Sequence, residues 1–144
     1  MDNEQTAPGF DEEMREIFES YLVEAREILD HLSQDLLALE KAPLDVNVLN
    51  NIFREMHTLK GTSSFLGFSQ IAELAHTSED LLNKLRKGDC TATSEIIDVL
   101  IDVHKTAGML LQRIESRNLQ PIEMENILEK LRGVSDKHKT GLEY

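Results

Sequence analysis

The run HTLKG contains three residues, His57, Lys60 and Gly61, whose types and spacing suit phosphoryl chemistry. A neutral imidazole nitrogen is a nucleophile near neutral pH, and a lysine can pair with the anionic oxygens of a phosphoryl group. Lys60 and Gly61 follow His57 by three and four residues, so on a helix they are its neighbours. A glycine inside a helix costs about 1 kcal/mol relative to alanine, but it leaves space beside the ring. On spacing alone, HTLKG is either a phosphoryl site or contains an ordinary exposed histidine.

The segment around His57 has the hydrophobic periodicity of an amphipathic helix. At 100° per residue, its inward positions gather on one face. They are Leu49, Ile52, Met56, Leu59, Ser63 and Leu66. His57 points about 130° away from the centre of that face. We therefore expect its imidazole to be exposed to solvent.

Hydrophobic residues recur at spacings of three and four along five segments, which predicts five helices. The predicted segments run from Asp11 to Leu39, from Val46 to about Leu66 with Asp45 as N-cap, from near Ser69 to Lys87, from a cap at Thr93 or Ser94 to before Arg117, and from Pro121 to Gly133. Short connections favour antiparallel neighbours. We predict an all-α fold, an up-and-down antiparallel four-helix bundle with an appended fifth helix.

The second and third predicted helices form a hairpin that brings a third chemical component to His57. His76 and Glu79 lie three residues apart on the third helix, and the short turn at Gly67 and Phe68 aligns its edge with that of the second. A carboxylate that accepts a hydrogen bond from Nδ1–H fixes the imidazole tautomer and leaves Nε2 free to attack. Glu79 is the candidate carboxylate.

Composition and charge exclude several classes of function. The 144 residues suit one domain, and an aromatic content of 5% without Trp favours helices over a β-rich fold. The net charge of −12 argues against nucleic acid as a partner. Cys90 is the only cysteine, so the chain has no intramolecular disulfide and no cysteine-rich metal site.

The two ends of the sequence are polar, whereas its middle carries the helical pattern. We predict a flexible N-terminus over residues 1–9, a helical domain over 10–133, and a polar tail or linker over 134–144. No apolar run approaches the roughly 20 residues of a membrane span, and the acidic N-terminus does not match a secretion signal. We expect no membrane insertion and a cytoplasmic location.

The stretch from Phe53 to Asp89, FREMHTLKGTSSFLGFSQIAELAHTSEDLLNKLRKGD, resembles the histidine phosphotransfer (HPt) domain at the N-terminus of the chemotaxis kinase CheA. In that family the HTLKG run holds the phosphorylated histidine, which matches His57. The family's later His-x-x-Glu is matched by His76 and Glu79. No motif position departs from the family pattern.

The resemblance implies a phosphoryl carrier. His57 would accept the γ-phosphoryl group of ATP from a CheA-type kinase catalytic domain and pass it to an aspartate of a receiver domain of the CheY or CheB type. Lys60 would stabilise the phosphoryl group, Glu79 would orient and charge the imidazole, His76 would support the network, and Gly61 would give access. The resemblance also implies that this domain holds no cofactor and is monomeric. ATP and Mg would be bound by the partner kinase, and Mg by the receiver.

Three other interpretations account for parts of the sequence. A metal-binding bundle using His57, His76 and Glu79 is disfavoured, because ferritin-like sites need paired Glu-x-x-His motifs and this chain has one His-x-x-Glu. A helical interaction module would explain the amphipathic helices without a reactive histidine. The chain is also compatible with a freestanding HPt protein of another phosphorelay, as the alternative to a fragment of a kinase. The sequence has no phosphate-cradling glycine loop, so the kinase must act in trans or through a C-terminal extension.

Overall fold

The computed structural model describes the backbone of residues 8–137 and the side chains of residues 12–136. Its five elements are all helices. They are α1 (Pro8–Lys41), α2 (Val46–Phe65), α3 (Ser69–Lys87), α4 (Ser94–Glu115) and α5 (Glu125–Lys137). Most of the predicted flexible N-terminus and most of the predicted tail lie outside the described residues.

The first four helices form a closed ring in which each packs against its neighbours in the chain. The ring closes because α1 packs against α4 as well as α2, and α5 then packs onto α3 and α4. The core between the helices consists mainly of aliphatic side chains. The largest fully buried ones are Leu32, Leu39, Ile52, Met56, Leu59, Ile71, Leu74, Leu81, Leu82, Ile96, Leu100 and Leu131. The predicted four-helix bundle with an appended fifth helix is confirmed.

Helix α1, with 34 residues, is longer than both helices that it packs against, α2 and α4. The Tyr21 hydroxyl bonds the Ser63 hydroxyl at 2.8 Å in the core, close to the C-terminal end of α2. The turns of α1 before this contact therefore extend beyond the end of α2. For this reason Met14 and Ile17, which continue the apolar stripe, are 40% and 39% exposed.

Local capping signals set both ends of α2. The Asp45 carboxylate accepts hydrogen bonds from the backbone N–H groups of Asn47 at 2.9 Å and Val48 at 3.4 Å, so the predicted N-cap is confirmed. At the other end, the Phe68 N–H donates to the Ser63 carbonyl and Gly67 has a φ of +83°. This is the glycine-terminated Schellman arrangement. It turns the chain into α3 within three residues and aligns the two helices.

The predicted start of the fifth helix at Pro121 is wrong. Residues 121–124 are not helical, and α5 begins at Glu125. Here the Gln70 side chain donates to the Ile122 carbonyl at 2.8 Å and accepts from the Ile122 N–H at 3.1 Å. These two bonds hold the backbone of Ile122 against α3, and its carbonyl oxygen accepts from the Gln70 side chain in a segment that is not helical.

The predicted end of the fifth helix at Gly133 is also wrong, since α5 continues to Lys137. Val134 and Ser135 are only 4% and 2% exposed, so the helix buries side chains beyond the glycine. Residues 134–137, predicted as the start of the tail, are thus the last turn of α5.

Within residues 8–137, none of the helices is both long enough and apolar enough to cross a membrane.

Candidate functional site

His57 lies in the second half of α2 with its side chain 63% exposed. Its neighbours Met56 and Leu59 are each 1% exposed and anchor the apolar face of the helix in the core. The register of α2 is therefore fixed by burial on one side, and His57 is presented to solvent on the other. This placement agrees with the helical periodicity.

Glu79 of α3 connects His57 and Lys60 through its two carboxylate oxygens. Its Oε2 is hydrogen-bonded to Nδ1 of His57, and its Oε1 accepts a hydrogen bond from Lys60 Nζ at 2.7 Å. Glu79 thus contacts both His57, as predicted from the sequence, and Lys60, which was not predicted as its partner. The Glu79 residue is 7% exposed, so the carboxylate approaches the imidazole from the protein side of the ring.

The surroundings of Glu79 keep its carboxyl group ionised. Burial raises the pKa of this carboxyl, but the hydrogen bonds and positive charges of Lys60 and His57 outweigh burial and leave the pKa below its ordinary value. An ionised carboxylate only accepts hydrogen bonds. Nδ1 of His57 therefore carries the hydrogen, and in the neutral imidazole Nε2 keeps its lone pair.

His76 lies at the edge of this group. Its Nδ1 is 3.9 Å from Oε1 of Glu79, which is too long for a hydrogen bond, and its side chain is 60% exposed. At this distance His76 acts on Glu79 only through its charge, which the ring carries only when it is protonated.

Gly61 lines an open groove between α1 and α2, which we call the α1–α2 groove. No atom outside its own stretch of helix lies within 4 Å of where a Cβ of residue 61 would be placed. His57 opens onto the same groove. Its lining residues are Glu13, Glu16, Ile17, Ser20, Tyr21 and Glu24 from α1, and His57, Thr58, Gly61, Thr62, Phe65 and Leu66 from α2. The space beside the imidazole can therefore hold a phosphoryl group.

The structure adds neighbours of His57 that the sequence analysis missed. The Phe53 ring stacks on the imidazole, with ring centroids 6.2 Å apart and planes inclined by 11°, and the guanidinium of Arg86 lies over the Phe53 ring. Phe53 precedes His57 by four residues, and this spacing in the sequence predicts that the two side chains are neighbours on the same side of α2. The sequence carried no signal for Arg86, whose contact is between helices.

Among the described residues, no group of three or more His, Cys, Asp and Glu side chains is arranged to hold a metal ion. The chemistry available at this site is that of the imidazole, the carboxylate and the ammonium group.

Comparisons with known proteins agree with this geometry. Residues 16–133 match the family described as the Hpt domain. The sequence is similar to the sensor histidine kinase CheAY of Helicobacter pylori, with 37% identity over 132 residues. That alignment covers 88% of this chain and 16% of the kinase. The chain therefore spans about a sixth of the length of this relative.

Two solved structures have the same fold. The solution structure of the histidine phosphotransfer domain of CheA has a TM-score of 0.78 and 28% identity, covering 91% of this chain and 97% of that one. The phosphorylated P1 domain of CheA3 in complex with CheY6 from R. sphaeroides has a TM-score of 0.73 and 28% identity. That match covers 85% of this chain and 98% of the P1 domain.

Proposed function

Because this chain belongs to the Hpt domain family, we propose that it is the phosphohistidine-carrying domain of a CheA-type chemotaxis kinase. His57 accepts the γ-phosphoryl group of ATP from the kinase catalytic domain and transfers it to an aspartate of a receiver domain. A solved relative, the P1 domain of CheA3, is in complex with CheY6, which supports a receiver of the CheY type as acceptor. Receivers of the CheB type have the same aspartate chemistry.

One observation carries this proposal. His57 is an exposed histidine whose Nδ1 is bound by a buried, ionised carboxylate, while its ring opens onto a groove. A histidine that only filled a surface position would not need a buried acid to fix its tautomer. The bond between Nδ1 and Glu79 directs the lone pair of Nε2 outward, where a large phosphoryl donor can approach.

In the first step, Nε2 attacks the γ-phosphorus of ATP. A P–N bond forms while the bond from phosphorus to the β,γ-bridging oxygen breaks, and ADP leaves with that electron pair. The imidazole gains a positive charge and keeps its proton on Nδ1. The negative charge of Glu79 offsets this charge, as a carboxylate does for a histidine base or nucleophile.

In the second step, a carboxylate oxygen of the receiver's aspartate attacks the same phosphorus. A P–O bond forms, the P–N bond breaks, and its electron pair returns to Nε2, so His57 leaves as a neutral imidazole. Lys60 offers its ammonium group to the phosphoryl oxygens in both steps. Gly61 adds no side chain that would block the approach.

The remaining components belong to the partners of this domain. ATP and Mg²⁺ are held by the kinase domain, and Mg²⁺ is held by the receiver, where the metal neutralises charge on the transferring group. We propose a cytoplasmic location, because the proposed reaction uses ATP. We propose that residues 10–133, extended by the last turn of α5, act as one monomeric domain joined to the kinase by the segment that follows.

The experiment that tests this function replaces the nucleophile and keeps the fold. His57→Gln should remain folded but accept no phosphate from a CheA-type catalytic core with MgATP, since glutamine has similar bulk but no nucleophilic nitrogen. The matched control is His31→Gln, the same change at an exposed histidine of α1, which should be labelled like the wild type.

The product is identified by mass spectrometry and by its acid-labile, alkali-stable linkage, which is characteristic of a phosphoramidate. Labelling of His57→Gln at the rate of the wild type would exclude His57 as the acceptor. Absence of labelling in the wild type with an active kinase core would favour the interaction module instead.

A further inference from the structure

The imidazole of His57 has two structural contacts, and only the one with Glu79 has a role in the proposed phosphoryl transfer. Glu79 binds Nδ1, whereas the ring of Phe53 stacks on the imidazole in an offset, nearly parallel arrangement. The centroid separation of 6.2 Å lies within the range of about 4.5–7 Å in which aromatic pairs attract. The hydrogen bond holds one atom of the ring, and the stack restricts the plane of the ring.

Arg86 of α3 holds Phe53 in place. Its guanidinium carbon lies 3.7 Å from the centroid of the Phe53 ring, a close cation–π contact. Nη1 donates to Oδ1 of Asn50 at 3.2 Å, and Nη2 donates to Oδ1 of Asn83 at 3.0 Å. One amide therefore comes from each helix, and the planar guanidinium is fixed between α2 and α3.

The stacked side chains of Phe53 and Arg86 lie next to the phosphotransfer site, along the interface between α2 and α3. Phe53 lies about one turn before His57 on α2, and Asn83 lies about one turn after Glu79 on the antiparallel α3. The contact also has an energetic cost, because Nε of Arg86 is buried with no hydrogen-bond partner among the described residues.

We propose that Phe53 and Arg86 are positioning residues for His57, an inference that rests on the proposed phosphoryl transfer. With Glu79 alone, the imidazole can swing about its hydrogen bond and change the direction of Nε2. The Phe53 ring, clamped by Arg86, restricts that swing and keeps Nε2 aimed at the space above the groove. Alignment of the attacking atom is a large part of catalysis of in-line transfer, because small misplacements lower the rate strongly.

The test separates the effect of apolar bulk at residue 53 from the effect of the aromatic ring. Phe53→Leu keeps apolar bulk but removes the flat ring, whereas Phe53→Tyr keeps the ring. Initial rates of phosphorylation are measured with a CheA-type catalytic core and MgATP over a range of domain concentrations. We expect Phe53→Leu to lower kcat about three- to tenfold with little change in KM, the range that corresponds to the interaction of an aromatic pair. Phe53→Tyr should restore most of kcat.

Arg86 should act through Phe53. Arg86→Lys keeps the charge but loses the planar group that binds both asparagines, so kcat should fall while KM stays near that of the wild type. The double variant should be no slower than Phe53→Leu alone. Side-chain NMR couplings of His57 should show rotamer averaging in each of these slow variants, a change that loss of stability alone would not produce in the folded protein.

The matched control is the other arginine–phenylalanine stack of the molecule's described part. The Arg117 guanidinium lies 4.2 Å from the Phe18 centroid, away from the site, so Arg117→Lys should leave kcat unchanged. An unchanged kcat in Phe53→Leu, or an equal fall in Arg117→Lys, would overturn the positioning role while the labelling of wild-type His57 stands. Failure of wild-type His57 to be labelled would overturn the proposed function instead.

Discussion

At the scale of single residues, Glu79 determines the chemical state of the site. Its two oxygens serve two different partners, since Oε2 bonds Nδ1 of His57 and Oε1 bonds Nζ of Lys60. Two acceptor oxygens and one negative charge are needed for this arrangement. A neutral amide at this position has only one acceptor oxygen, and its NH₂ group would face a donor.

We therefore predict that Glu79→Gln slows phosphorylation of His57 by about tenfold or more, the effect of raising the barrier by about 1.4 kcal/mol. The fold should persist, because glutamine has the same size. The rate is measured with a CheA-type catalytic core and MgATP. Asp80→Asn, the same kind of change at the exposed neighbouring position, is the control. A Glu79→Gln rate equal to that of the control would show that the carboxylate has no part in the reaction.

The residues of the site differ in how well the sequence predicts their contacts. His57 and Lys60 share a helix face, and a short turn fixes the register of the next helix, so their meeting with Glu79 follows from periodicity and turn length. The stack of Phe53 and Arg86 does not follow, since it depends on the direction of a long side chain across a helix interface. Sequence spacing says which helix faces meet but not which rotamers are adopted.

At the scale of the helices, the interface of α1 and α2 contains a pair of carboxyl groups. The carboxyl groups of Glu55 in α2 and Asp35 in α1 are neighbours that share a hydrogen bond when one of them is protonated, and both side chains are half-buried. Burial, this hydrogen bond and the negative charge of Asp35 raise the pKa of Glu55 to about 8, although Arg54 lowers it slightly. The two helices are thus best packed when the pair carries a proton.

The sign of the resulting pH dependence follows from this raised pKa. The stabilisation is fully present below the ordinary pKa of about 4.5 and is lost as the pH rises through about 8. We predict that Glu55→Gln, which is neutral at every pH, is more stable than the wild type above pH 8 and loses this advantage on acidification. Urea unfolding over this pH range measures the difference.

Glu40→Gln, at an exposed position of α1, is the control for the loss of one surface charge. If the stability difference between Glu55→Gln and the wild type stays constant with pH, the two carboxyl groups do not share a proton.

The contribution of Glu79 to the stability of the fold should depend on pH in the opposite direction. Because its pKa is lowered, its contribution is present above the ordinary pKa and is lost as the pH falls through the lowered value.

The ends of the helices show which elements the sequence predicts well. The Asp45 side chain and the Gly88 backbone each bond groups within a few residues at their own helix end, and the sequence predicted both the cap at Asp45 and the end of α3 at Lys87. Pro121 was wrongly placed in a helix, although proline suits a first turn. Gln70 binds Ile122 across 52 positions of sequence, and a local rule contains no information about such a contact.

At the scale of the whole molecule, the α1–α2 groove and the appended helix lie on different sides of the bundle. α5 packs on α3 and α4, and within the described residues it makes no contact with α1 or α2. His57 and the groove belong to the α1–α2 side. We infer that α5 supports the stability of the bundle, whereas the surface seen by the kinase and receiver is made without it.

Replacement of Leu131 tests this division, because Leu131 is the most buried hydrophobic side chain among the described residues of α5, at 2% exposure. Leu131→Ala should lower the free energy of unfolding by about 2–5 kcal/mol, the cost of a cavity in a core. A domain of typical stability, about 5–15 kcal/mol, then remains mostly folded at low temperature. Phosphorylation of His57 should therefore proceed at the wild-type rate well below the Tm, although the Tm itself falls.

The matched control is Leu119→Ala, at a leucine that is 63% exposed in the connection before α5. This change should alter the free energy of unfolding by no more than about 0.5 kcal/mol. Chemical denaturation and initial rates of phosphorylation are measured on both variants. A slow Leu131→Ala variant that is still fully folded would mean that α5 influences the site through α3. The imidazole, its carboxylate and the stacked ring would then depend on the packing of α3 from both sides, and α5 would be part of the machinery that orients them.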